Sequence, residues 1–221
     1  MRTIRRWRWP AAFAIVFASI ALAHATDVGL PPPSGPIAPR VAPVLGDDGL
    51  YHQSWFLLSF LDLRQDFRDA QDAGKRIAVL FEQRGCSYCA DLHTKVLARK
   101  YINDYVRQNF AILQLDLWGA REVTDFDGAV MKALAERWGI SFSPTIVFSK
   151  DELTGLDGRC GRELEAVERL ALSFGHDTFY DLFVWVRQKV YERDGNFQRF
   201  HIARSAERAA MKADAERAGS N

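Results

Sequence analysis

The sequence predicts an α/β fold with a central mixed sheet, helices on both faces of that sheet and a helical extension at the C-terminus. Apolar runs of strand length, such as residues 77–81 and 145–148, alternate with segments of helical periodicity. The order of these segments places helical connections between successive strands and predicts an antiparallel hairpin at the end of the sheet. With 221 residues, 48% of them hydrophobic, the chain can form one domain with a sizeable core.

Each element follows from its local pattern. Phe56, Phe60, Leu63 and Phe67 recur at helical spacing, which predicts a first helix that starts near residue 51 and ends at Gly74. The other predicted elements are a buried strand at 77–81, helices at 90–100 and 101–109, a strand at 110–117, a loop at 118–127, a helix at 129–138, a strand at 145–148, a short edge strand at 156–160 and a long helix at 179–192.

The first 25 residues have the three parts of an export signal. Four arginines precede an apolar run at residues 11–23, and Ala23-His24-Ala25 fits the small-x-small cleavage rule. We therefore expect cleavage after Ala25 and a periplasmic protein; an uncleaved N-terminal anchor stays open as the alternative.

Composition divides the rest of the chain into three parts. Residues 26–50 hold six of the eight prolines, which predicts an extended, semi-rigid linker. Residues 51–195 form the predicted domain. Residues 196–221, rich in Ala, Arg and Glu, predict a helical tail that either is solvated or mediates association, and the oligomeric state stays open.

The charge balance excludes one class of partner. The 29 Lys and Arg of the chain include the four arginines of the signal, so the mature chain keeps 25 basic residues against 28 acidic ones, a net charge of −3. No basic field remains to attract nucleic acid or anionic lipid.

A pair of cysteines carries the chemistry. Cys86-Ser87-Tyr88-Cys89 follows the strand at 77–81 and opens a helix, whose N-terminus favours a thiolate. Cys86 comes first and is the expected nucleophile, and Cys89, one turn further on, is expected to resolve the mixed disulfide. A structural disulfide and a zinc site with His93 are the alternatives, but zinc needs about four ligands. No metal or other cofactor is expected beyond the redox-active cysteine pair.

Pro144 is the only proline after residue 43, and it stands directly before a predicted strand in Ser143-Pro144-Thr145. The cysteine motif after one strand and this proline before another resemble the thioredoxin fold over residues 51–192. The resemblance implies that Pro144 forms a cis peptide bond and lies against the cysteine pair. It also implies that the backbone around Ser143 and Pro144 binds the incoming substrate strand.

A narrower resemblance concerns the exported thioredoxins of the SoxW type, associated with bacterial sulfur oxidation. It rests on four stretches of sequence, at residues 81–89, 117–119, 122–128 and 197–200. The resemblance implies a periplasmic thiol reductant that reduces protein disulfides and receives its electrons from a membrane transporter with its own cysteine pair.

The acid that thioredoxins bury before the cysteines is missing from its usual position, which holds Leu80. Glu82 lies two residues on and faces the same side of the strand, so it is a candidate for proton transfer. The sequence nevertheless favours a Glu82 side chain that is exposed to solvent at the end of the strand. His93, four residues after Cys89, is likewise interpreted as a partly buried helix residue rather than a proton shuttle.

Four further residues are candidates for the site. Ser87 and Tyr88 tune the cysteine pair and are expected to touch substrate. Trp118 belongs either to the core or to the rim of the cleft. Cys160, left over by the odd count of three cysteines, is a candidate extra thiol, although a buried small apolar residue is the favoured interpretation.

The sequence thus predicts an exported thiol-disulfide oxidoreductase that reduces protein disulfides. The same residues are compatible with a disulfide oxidant or isomerase. A non-catalytic thioredoxin-fold binding module with a locked disulfide is the hypothesis from another class.

Overall fold

A four-stranded mixed sheet forms the centre of the computed structural model, which describes residues 29–149, 170–171 and 175–220. Within these residues the strands are β1 (Val44–Leu45), β2 (Tyr51–His52), β3 (Arg76–Glu82), β4 (Phe110–Asp116), β5 (Val123–Thr124), β6 (Val130–Met131), β7 (Thr145–Phe148) and β8 (Leu170–Ala171). The central sheet has the order β4-β3-β7-β8; β3 is parallel to β4 and antiparallel to β7, and β7 is antiparallel to β8. The predicted mixed sheet is confirmed.

Helices cover both faces of this sheet. They are α1 (Leu63–Asp72), α2 (Ser87–Asp91), a π-helical segment (Leu92–Val96), α3 (Lys100–Asn109), α4 (Leu134–Arg137), α5 (His176–Arg187), α6 (Val190–Arg193) and α7 (Phe197–Gly219). One core cluster lies between the sheet and α1 and α4, and the other lies between the sheet, α3 and α5. No helix among the described residues is long and apolar enough to cross a membrane.

Strand β3 is buried along its whole length, as predicted. Its side chains alternate between the two cores, with Leu80 in the cluster under α5 and Phe81 in the cluster under α1. Burial of each such side chain contributes about 1.5–3 kcal/mol. The strand therefore fixes the position of the loop that follows Glu82.

The first predicted helix begins twelve residues later than expected, at Leu63. The Asp62 side chain accepts hydrogen bonds from the N–H groups of Arg64 and Gln65 and so caps the helix there. Before it, Leu61 has a positive φ of 65°, and the Leu57 N–H donates to the Ile112 carbonyl on the edge strand. The apolar spacing of residues 51–62 therefore reflects packing beside the sheet rather than a helix.

The predicted helix at 129–138 is reduced to the four residues of α4. Val130 and Met131 pair instead with Thr124 and Val123 across a turn in which Gly128 has a φ of 87°. The long helix predicted at 179–192 is likewise divided into α5 and α6, because Lys189 takes up a left-handed conformation with a φ of 50°.

Residues 31–41 pack against the domain, which differs from the extended spacer that the prolines predict. Arg204 of α7 donates to the carbonyls of Pro31 and Pro32, and the Val41 N–H donates to the Ala98 carbonyl. The N-terminal half of α7 is held in turn by buried contacts to α5. The predicted helical tail is thus a helix whose first half joins the N-terminal segment to the domain.

Candidate active site

The cysteine pair lies where β3 meets the helix, as predicted. After Glu82 the chain turns through Gly85, which has a φ of 74°, and the Cys86 N–H donates to the Gln83 carbonyl. Cys86 is the N-cap residue of α2, and a disulfide joins it to Cys89 with 5.2 Å between the Cα atoms. The two sulfurs are therefore held at the end of a buried strand.

The two cysteines differ in exposure. Cys86 is half-buried, whereas Cys89 is only 5% exposed. The Cys89 N–H donates to the Sγ of Cys86 at 3.0 Å, and a backbone N–H at this position stabilises a thiolate as well. This difference supports the predicted roles, with Cys86 as the sulfur that substrate reaches and Cys89 as the internal, resolving one.

Ser143 and Pro144 lie against Cys86. The Ser143–Pro144 peptide bond is cis, Pro144 is buried, and the Ser143 carbonyl oxygen lies 3.7 Å from the Sγ of Cys86. A disulfide sulfur has no proton to donate, so this is a packing contact rather than a hydrogen bond. The start of β7 therefore forms one wall beside the nucleophile.

Three exposed aromatic side chains belong to the segments that carry the cysteine pair and its neighbours. Tyr88 is 59% exposed beside the neighbouring Ser87, and Trp118 is 75% exposed and donates from Nε1 to the Oε1 of Gln83 at 2.7 Å. This exposure excludes Trp118 from the core, and its partner Gln83 lies three residues before Cys86. Phe142, 47% exposed, directly precedes Ser143. The sequence prediction missed it, although its place next to Ser143-Pro144 was a signal.

The interpretation of Glu82 as a surface residue is wrong, because Glu82 is fully buried. His93 is also fully buried rather than partly so, and its Nε2 lies 3.0 Å from the Oε2 of Glu82. The last residue of β3 reaches the interior because α2 and the π-helical segment cover that face of the sheet. Leu80 lies two residues earlier, in the same core cluster that contains Leu92.

Three amide side chains that the sequence prediction missed complete this buried group. Gln53 lies 3.4 Å from the Nδ1 of His93, Asn103 donates to Gln53 at 3.2 Å, and Gln114 donates to Glu82. Of the three, only Gln114 could have been found from the sequence. It is a polar residue within the predicted strand at 110–117, and the alternation of a strand places it on the opposite face from Leu113 and Leu115.

Two other sequence predictions concern metal and the third cysteine. Among the described residues, no group of three or more His, Cys, Asp or Glu side chains is arranged to hold a metal ion. His93, the candidate third zinc ligand, directs its Nε2 to Glu82. Cys160 and the predicted edge strand at 156–160 lie outside the described residues.

Comparison with known proteins bears on the fold. Residues 63–156, which include Cys86, Cys89 and Pro144, match the family model described as a thioredoxin-like domain. The fold is thioredoxin-like. Solved structures that resemble the chain include a thioredoxin-fold protein from Helicobacter pylori, with 16% identity and a TM-score of 0.43 over 65% of this chain and 94% of that one. A search of curated proteins gave no match.

Proposed function

We propose that this protein is an exported thiol-disulfide oxidoreductase that reduces protein disulfides with Cys86 and Cys89. The observation that carries the proposal is the asymmetry of the pair within a thioredoxin-like fold. Cys86 is accessible at a helix start beside Ser143, and Cys89 is buried within reach of it. Disulfide exchange needs one exposed attacking thiolate and one nearby thiol to release the substrate.

The exchange proceeds in two steps. The Cys86 thiolate attacks a substrate sulfur, which forms a mixed disulfide and expels the other substrate sulfur as a thiolate. Cys89 then attacks Cys86, restores the disulfide present in the structure and releases the reduced substrate. In this proposal the backbone around Ser143, 3.7 Å from the Sγ of Cys86, and the exposed side chains of Tyr88 and Trp118 bind the substrate segment.

Reduction of insulin disulfides by dithiothreitol tests this proposal. The wild type is expected to accelerate precipitation of the insulin B chain, and Cys86→Ser is expected to abolish the acceleration. The control is Ser59→Ala, which removes a hydroxyl that donates to Asp66 of α1, and it is expected to keep the acceleration. Equal rates for the wild type and Cys86→Ser would favour the non-catalytic binding module.

The direction of electron flow is tested by the reduction potential. A reductase is expected near the value of thioredoxin, about −270 mV, whereas a value near about −120 mV would identify a disulfide oxidant. Equilibration with glutathione buffers, followed by alkylation and mass spectrometry of Cys86 and Cys89, measures it.

The proposal also includes export of the protein to the periplasm. In an oxidising compartment the cysteine pair is a disulfide by default, so a reductase there needs an electron donor. The resemblance to SoxW-type thioredoxins supports a membrane donor with its own cysteine pair and a role in sulfur oxidation. Residues 1–25 fused to alkaline phosphatase are expected to give activity in a Gram-negative host, and an inactive fusion would contradict export.

A further inference from the structure

Arg84 lies in a tight turn that leads directly to the nucleophile. The Cys86 N–H donates to the Gln83 carbonyl across Arg84 and Gly85, and Gly85 has a φ of 74°. A left-handed third residue is a recurrent feature of such turns. Two peptide units span at most about 7.6 Å between Cα atoms, so the exposed Arg84 stands beside Cys86.

The β1–β2 hairpin, residues 44–52, holds the Arg84 side chain. The Nε and Nη2 atoms of Arg84 donate to the carbonyl oxygen of Asp48 at 3.1 and 3.0 Å. The stem of Arg84 crosses Gly49, where a Cβ atom would lie 2.7 Å from Nε and 2.8 Å from Cγ. The arrangement therefore needs a residue without a side chain at position 49. The hairpin precedes residues 63–156, so the family model does not cover it.

No carboxylate neutralises Arg84 by a direct ion pair within the part of the chain that the structure describes. The hydrogen bonds of its guanidinium go to a backbone carbonyl, and Nη1 has no partner there. The Asp48 carboxylate turns instead to His52 Nε2, at 3.0 Å, and to the Leu50 N–H, at 3.1 Å. One edge of the guanidinium is thus bound to the hairpin, and Nη1 can donate to a ligand.

Other charged side chains close to the cysteine pair in the fold already have partners. Asp91 and Lys95, on the helical segment after Cys89, pair with each other at 2.8 Å. The Asp116 carboxylate accepts from the Trp118 N–H at 3.1 Å. Arg84 is also the cationic residue nearest to Cys86 in the sequence. It is therefore the charge best placed to act on a molecule that Cys86 attacks.

We propose that Arg84 is a specificity-determining residue that selects disulfides with a carboxylate beside the sulfur attacked by Cys86. The inference rests on the proposed function and deepens it by naming the substrate class, protein segments with Asp or Glu next to the disulfide. The Cys86 thiolate repels such a carboxylate, and a charge-assisted hydrogen bond from Arg84 offsets the repulsion. The exchange is unchanged: the bond from Cys86 to substrate forms, the substrate disulfide breaks, and its other sulfur leaves as a thiolate.

Three small disulfides that differ in charge test the inference. Dithiodipropionate is a dianion whose carboxylates stand in for Asp or Glu, hydroxyethyl disulfide is neutral, and cystamine is a dication. Reduced protein in a Cys160→Ser background is mixed with an excess of each. Acid quenching, alkylation and mass spectrometry then follow the loss of the Cys86 and Cys89 thiols, as one disulfide becomes two thiols and the cysteine pair is oxidised.

The expected result is a change in charge preference. In Arg84→Gln the rate with the dianion, relative to the neutral disulfide, is expected to fall about threefold, within the range for exposed ion pairs. The relative rate with the dication is expected to rise. The measurement is made at about 10 mM ionic strength, where the Debye length is about 30 Å. At about 1 M salt, where that length is about 3 Å, the difference between wild type and Arg84→Gln is expected to vanish.

Unchanged relative rates in Arg84→Gln would overturn the inference, and so would an equal fall with all three disulfides, which would place the effect of Arg84 on the thiolate alone. A wild type that reacts with none of the three would instead overturn the proposed function. Arg84→Lys keeps the charge and is expected to keep most of the preference. Arg68→Gln is the matched control, because Arg68 is exposed on α1 and donates to Gln65. It is expected to leave the relative rates unchanged.

Gly49→Ala tests the positioning of Arg84 without removing its charge. The added Cβ atom would take the space of the Arg84 stem, so the guanidinium must leave the Asp48 carbonyl. The preference for the dianion is expected to fall about twofold, part of the loss seen without the charge. A mere loss of stability would slow all three disulfides alike. A preference kept in full would contradict the claim that the hairpin positions Arg84.

Discussion

The buried ion cluster between α5 and α7 allows a quantitative stability prediction for Arg204→Met. Asp181 is fully buried, and Arg204, 1% exposed, donates to it from Nε at 2.6 Å. His201 and Arg208 also contact this carboxylate. Burial raises the pKa of Asp181 above its ordinary value, and the hydrogen bonds from Arg204 and His201 oppose that shift.

The expected loss of unfolding free energy follows from the hydrogen bonds of Arg204 that methionine cannot make. It retains much of the aliphatic stem but removes the bond to Asp181 and the bonds to the Pro31 and Pro32 carbonyls, at 2.9 and 3.2 Å. Removing one partner of a buried ion pair costs about 3–5 kcal/mol. Because His201 and Arg208 remain, we expect the free energy of unfolding to fall by about 3 kcal/mol, at the low end of that range.

Urea unfolding followed by tryptophan fluorescence measures the change. The control is Arg217→Met on the same helix, where the ion pair to Asp214 is largely exposed, and its expected change is within about 0.5 kcal/mol. A loss below about 1 kcal/mol for Arg204→Met would refute the reasoning.

Three further predictions concern the core, the turn and high pH. Phe148→Ala is expected to cost about 3–5 kcal/mol of unfolding free energy, because Phe148 is fully buried, whereas the exposed Phe60→Ala is expected to change little; urea midpoints decide. Gly85→Ala, at a φ of 74°, is expected to cost about 1 kcal/mol by the same measurement, and an unchanged midpoint would contradict it. Burial raises the pKa of Tyr105 to about 12, so between about pH 10 and 12 the unfolded chain loses a proton that the folded one keeps, and stability falls as pH rises. Tyr105→Phe is therefore expected to show a smaller fall in urea midpoint from about pH 9 to 11.5, and an equal fall would contradict it.

The parts of the fold that sequence could predict are those with a strong local signal. The run at residues 77–81 and the β-branched run at 145–148 are strands, and the cysteine motif between strand and helix was located from spacing alone. Residues 51–62 and 129–133 could not be assigned correctly. Their backbones are fixed by partners distant in sequence, such as Ile112 for Leu57, and periodicity carries no information about such partners.

The same limit applies to the site. The sequence identified Cys86, Cys89 and Pro144, because each residue type is uncommon and stands beside a strand. The burial of Glu82 and His93 was not predicted, because a charged residue at a strand end is ordinarily exposed. What buries them is the covering of that sheet face by the helical segment and by the residues around Gln53, a tertiary effect.

Mass spectrometry of a trapped intermediate tests the central claim most directly. A Cys89→Ser variant in a Cys160→Ser background has only Cys86 available, and after reaction with a disulfide-containing substrate protein it is expected to retain one substrate molecule, released by dithiothreitol. The Cys86→Ser variant in the same background is expected to retain none. A folded Cys89→Ser variant that forms no adduct would contradict the claim that Cys86 is the nucleophile of a thiol-disulfide oxidoreductase.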